Sequence, residues 1–149
     1  NLPSGRNIQP AEDDDFNSTE LGPQWQFEGP YSHYWYYANA KKSMLRLYGP
    51  QFPDDYKNLS DLQNMLLQKF PTENFTATAR VRFIPNPDFK QKGEEGGFII
   101  MGQDYAGIKF VSTVNGCAMR YVTCKNAYNG TSETTVSERT IKLSPMQKP

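Results

Sequence analysis

Hydrophobic and polar positions alternate along much of the chain. The clearest case is FTATARVRF, where Phe75, Ala77, Ala79, Val81 and Phe83 face one way and Thr76, Thr78, Arg80 and Arg82 the other. A period of two predicts a long strand with one face buried. GGFIIMG is a continuous apolar run and reads as a central strand covered on both faces. YAGIKFVS places Ala106, Ile108 and Phe110 on one apolar face, and CAMRYVTCK follows an Asn-Gly turn at 115–116. TTVSERTIKL, after a second Asn-Gly at 129–130, is a further predicted strand. Toward the N-terminus QWQFE, YWYYA, MLRLYG and MLLQKF are shorter candidates.

No segment sustains helical periodicity beyond two turns. A single turn around NLSDL interrupts the proline-rich loop PQFPDDYKNLSDLQN. Short strands with regular turn punctuation predict an all-β sandwich or barrel. The 149 residues suit one domain, with residues 1–12 as an extended lead-in. The ending LSPMQKP would leave a sheet edge uncovered, so a sandwich truncated at its C-terminus is expected.

Composition narrows the function. Sixteen basic residues offset sixteen acidic ones, so there is no cationic field for nucleic acid. No apolar run reaches membrane-spanning length. Cys117 and Cys124 stand seven apart; on one strand they point to opposite faces, which argues against a disulfide between them. Four N-x-S/T motifs, at Asn17, Asn58, Asn74 and Asn129, carry little weight alone because such short matches arise by chance.

Catalysis finds little support. Most carboxylates fall in predicted loops, and no strand carries a pair at i, i+2 that would aim two carboxylates into one cleft. A Ser-His-Asp site would have to use the lone histidine, His33, and no G-x-S-x-G elbow accompanies it. The run EDDDFN offers Asp13 and Asp15 as weak calcium ligands; a solvated acidic turn is the simpler reading.

WQFEGPYSHYWYY stands out, with seven aromatics in thirteen residues and both tryptophans of the chain. Alternation puts Trp25 and Phe27 on one face. In YWYY, Tyr34 and Tyr36 oppose Trp35 and Tyr37, so one pair is left for a sheet face or a loop rim. Tyr31, His33 and Trp35 are therefore candidates for stacking on sugar rings, with burial in the core as the competing role. Gln103, Asp104 and Tyr105, in GQDYAG between two apolar strands, either line a binding face or cap a hairpin.

DDFNSTELGPQWQF, MLRLYG, NMLLQKFPTENFTATARVRF and GEEGGFIIMGQDYAGIKF resemble, in order and spacing, the C-terminal concanavalin A-like β-sandwich of family 43 glycoside hydrolases, the β-xylosidases and α-L-arabinofuranosidases. The resemblance runs from about Asp14 to Phe110. It implies a jelly-roll of two curved antiparallel sheets that packs on a catalytic five-bladed propeller and helps shape its sugar pocket. The expected function is a non-catalytic accessory domain, with an independent carbohydrate-binding module as the alternative. The expected partners are that propeller and an oligosaccharide. A secreted or periplasmic location follows from the family, and no cofactor is expected. Phe27-Glu28-Gly29-Pro30-Tyr31 stands where family members often read W-N-H-N-P.

Overall fold

A computed structural model describes residues 13–86, 93–114 and 116–141. The lead-in 1–12, Asn115 of the first Asn-Gly turn and the closing LSPMQKP lie outside the described residues. Eight strands and three short 3-10 turns make up the regular structure, and no α-helix occurs among the described residues. All strand pairs are antiparallel. Among the described residues no helix is long and apolar enough to cross a membrane.

The described residues fall into two compact units. The first comprises residues 13–50 and 63–77 and holds two small sheets. β1 (Trp25–Phe27) pairs with β4 (Leu66–Gln68), and β2 (Tyr36–Asn39) pairs with β3 (Met44–Leu47). β1 keeps the expected alternation, with Gln26 exposed between the half-buried Trp25 and Phe27. β2 and β3 are joined by a 3-10 turn at Ala40–Lys42. There the Asn39 side chain accepts from the Lys42 amide at 3.2 Å, and Ser43 takes a left-handed conformation to turn the chain back.

The second unit, residues 51–62 and 78–141, holds a four-stranded sheet ordered β5 (Glu95–Met101), β6 (Tyr105–Thr113), β7 (Gly116–Cys124) and β8 (Thr134–Ile141). The registers put Glu95 opposite Val111, Lys109 opposite Arg120, and Arg120 opposite Glu138. A bulge at Tyr121/Val122 shifts the β7–β8 register. Val122, Val111, Ala118, Cys117 and Cys124 form much of the buried core. Burying a side chain such as Val122 contributes about 1.5–3 kcal/mol. Both thiols are buried, and both are free, as expected from their odd spacing along β7.

Three strand expectations are corrected. Residues 75–83 form no strand, and among them only Phe83 escapes exposure. A period of two specifies two faces but not a partner, and no described strand pairs with this segment. Phe83 is held because it lies over Gly96, with its ring centroid 6.2 Å from that of Phe110. β5 is an edge strand rather than a central one, leaving Phe98 and Ile100 half exposed. On β6 the better buried face is that of Tyr105, Lys109 and Val111, whereas Ile108 on the apolar-looking face is 46% exposed.

Candidate functional site

The first unit carries an open cleft of about 680 Å³ lined by Thr19, Glu20, Leu21, Tyr31, His33, Tyr36, Tyr37 and Ala38. Its aromatic wall is set by β1 and β2. Phe27 is the hub: its ring centroid lies 5.2 Å from Trp35 edge-on, 6.0 Å from Tyr36 and 6.2 Å from Tyr31. Tyr31 and Tyr36 lie 6.1 Å apart, and His33 stands 3.9 Å from the ring of Tyr34. The hydrogen bond with Tyr36, then desolvation and the neighbouring charges of Tyr36 and Glu20, push the Tyr31 phenol up, so it stays protonated at neutral pH.

The simple division of YWYY into two pairs does not hold. The Trp35 amide donates to Ser32 at 3.1 Å in a turn, and the strand starts only at Tyr36. Trp35 and Tyr36 are therefore both half buried, while Tyr34 and Tyr37 are exposed. Tyr31 and His33 line the cleft, and Trp35 supports it from behind through Phe27.

The acidic entry works as a hydrogen-bond hub. The Asp14 carboxylate accepts from the Phe16 amide at 2.7 Å, Trp25 Nε1 at 2.8 Å and Gln24 Nε2 at 3.1 Å. Phe16, in a left-handed conformation, brings its ring to 5.8 Å from Trp25. Asp13 and Asp15 are exposed on either side. Among the described residues, no three His, Cys, Asp or Glu side chains are grouped to hold a metal ion.

In the second unit Gln103 and Asp104 sit in the turn between β5 and β6 and bond to the turn that follows β7. Asp104 Oδ1 accepts from the Asn126 amide at 2.8 Å, and the Gln103 carbonyl accepts from Ala127 at 2.9 Å. Gln103 Nε2 also reaches Asn126 Oδ1 at 3.4 Å. Tyr105 belongs to a buried polar cluster centred on Lys109, which is 4% exposed. The Lys109 ammonium lies 2.8 Å from the Glu95 carboxylate and 2.8 Å from that of Glu133. The Tyr105 hydroxyl donates to Glu133 at 2.7 Å and accepts from the Leu59 amide at 3.3 Å.

The loop before β4 covers this cluster. Asn58, fully buried, donates its amide to the carbonyls of Ala127 at 2.9 Å and Thr131 at 2.8 Å and accepts from Ser60 at 2.8 Å. Asp61 closes the same turn by accepting from the amides of Lys57 and Asn58. Burial, with smaller contributions from the Glu95 and Glu133 charges, holds the Tyr56 phenol well above its ordinary value near 10. Burial does the same for Tyr105, partly offset by the Leu59 amide.

The six candidate sugar-binding residues thus divide between the units: Tyr31, His33 and Trp35 in one, Gln103, Asp104 and Tyr105 in the other. Sequence reasoning did not bring Lys109, Glu95, Glu133 and Asn58 together. The register supplies the available signal, since Glu95 and Lys109 project from the same face of neighbouring strands.

A family model described as the β-xylosidase C-terminal concanavalin A-like domain matches residues 13–148. No curated protein and no solved structure matches the chain. The matched span takes in every strand of both units, and the all-β antiparallel architecture agrees with it. The chain belongs to the family of β-xylosidase C-terminal concanavalin A-like domains of family 43 glycoside hydrolases.

Proposed function

We propose that the chain is the non-catalytic accessory domain of a secreted or periplasmic glycoside hydrolase, packing on a catalytic propeller and helping to shape its sugar pocket. The observation that carries this reading is the match over residues 13–148 to a domain defined by its C-terminal place in β-xylosidases. The chemistry of the second unit supports it. Glu95 and Glu133 converge on one point, but Lys109 sits between them and Tyr105 donates to Glu133. Carboxylates neutralised in this way are poor general acids and nucleophiles.

The tyrosine-lined cleft favours a second reading, an independent module that binds plant cell-wall oligosaccharides. Tyr31 and Tyr37 present 63% and 52% of their surface, enough for a pyranose face to stack. Calorimetry of the folded chain against xylo- and arabino-oligosaccharides separates the two. The accessory role predicts no heat, together with a rise in activity when the chain is added to a family 43 propeller stripped of its own sandwich. Saturable heat that disappears in Tyr31→Ala would make the chain a binding module instead.

A further inference from the structure

The four N-x-S/T motifs are sorted by the fold. Asn17, Asn74 and Asn129 are exposed, and each is followed two positions later by an exposed threonine: Thr19, Thr76 and Thr131. None of the three lies within a strand: Asn17 and Asn74 are in loops, and Asn129 ends the 3-10 turn at Ala127–Asn129. The fourth motif, Asn58-Leu59-Ser60, is the only one built on serine. Asn58 is fully buried, with both ends of its amide hydrogen-bonded, and the Ser60 hydroxyl is buried with no hydrogen-bond partner among the described residues. Random placement of the chain's asparagines and threonines would give about one N-x-T motif or fewer. Three occur, all on accessible turns and loops, where an N-linked glycan needs its acceptor.

We infer that Asn17, Asn74 and Asn129 are N-glycosylation sites of a chain that travels a eukaryotic secretory route, and that Asn58 is excluded from modification in the folded protein. The donor is a polyprenyl-diphosphate-linked oligosaccharide. The asparagine Nδ2 bonds to the anomeric carbon of the sugar, and the bond from that carbon to the diphosphate oxygen breaks. The polyprenyl diphosphate leaves with the electron pair, and the amide nitrogen gives one proton to a base of the transferase. At Asn58 the new bond would replace an N–H that donates to a backbone carbonyl and would place a sugar on a side chain that is fully buried. A chain modified there cannot complete the second unit, so it is lost from the folded fraction.

The test is secretion of the whole chain from yeast behind a fused signal peptide, followed by peptide mapping with and without peptide N-glycosidase. The same chain, translated in the presence of microsomes, reads occupancy independently of export. The expected result is glycan at Asn17, Asn74 and Asn129 and an unmodified Asn58 peptide in the folded product. Thr19→Ala, Thr76→Ala and Thr131→Ala should each remove one glycan. Ser60→Thr, a better acceptor, should raise Asn58 occupancy in microsomes while lowering the yield of folded, secreted chain. Bare Asn17, Asn74 or Asn129 in both systems, or a glycan on Asn58 in folded protein, would overturn the inference.

Discussion

The two units hold themselves together by different means. In the first, short strands of three or four residues are tied by aromatic rings around Phe27 and by the Asp14 carboxylate. In the second, strands of seven to nine residues carry a buried cation between two carboxylates, and Asn58 fastens a loop across one end. Ring contacts are individually weak and tolerate the loss of an exposed partner. A buried ion triad does not, because removing its centre leaves like charges facing each other away from water. The first arrangement leaves aromatic faces open to a ligand, and the second closes its polar groups onto themselves.

The sharpest way to break this contrast is Lys109→Met. With the Glu95 and Glu133 side chains only 20% and 18% exposed, the loss should be about 3 kcal/mol in urea denaturation. Adding Glu95→Gln and Glu133→Gln should recover much of it. A single-variant loss below about 1 kcal/mol would mean that water reaches the cluster.

Alkaline pH gives the next largest effect. Tyr56 and Tyr105 keep their protons in the fold above the pH at which an unfolded tyrosine, near 10, gives them up. Above that point the unfolded chain binds fewer protons than the folded one. Stability contributed by the phenols is therefore intact below pH 10 and falls as pH rises past it, by at most about 1.4 kcal/mol per pH unit for each group. Tyr56→Phe should shallow that slope without touching the ion triad; an unchanged slope would assign it elsewhere.

The smallest effect is expected in the first unit, where Tyr37→Ala removes a half-exposed ring from the cleft. Its stability should stay within about 0.5 kcal/mol of the parent. A loss comparable to that of Lys109→Met would erase the contrast between the units.

Much of the architecture was legible in the sequence. Each of the eight strands overlaps a run chosen for its apolar pattern, and the turn expected around NLSDL is the 3-10 turn at Leu59–Asp61. What pattern alone could not supply was pairing. FTATARVRF has a stronger alternation than β8, yet β8 pairs with β7 while 75–83 pairs with no described strand. The same gap hid the Lys109 cluster, because a lysine on an alternating strand reads as solvent-facing until the loop that buries it is in place. In the aromatic stretch, the turn at Ser32–Trp35 shifted which tyrosines face outward, and it depends on a backbone hydrogen bond rather than on hydrophobic period.

The two cysteines have a consequence of their own. Seven positions along a strand separate their Cα atoms by about 23 Å, far outside the span of a disulfide. Each is 2% exposed, and burial pushes the Cys124 thiol up. Neither sulfur reacts quickly while the sheet is closed. They form a pair of intrinsic stopwatches on opposite faces of one strand. A thiol reagent added in excess labels each only as its own face uncovers, so the order of labelling gives the order in which the two sides of the sheet come undone.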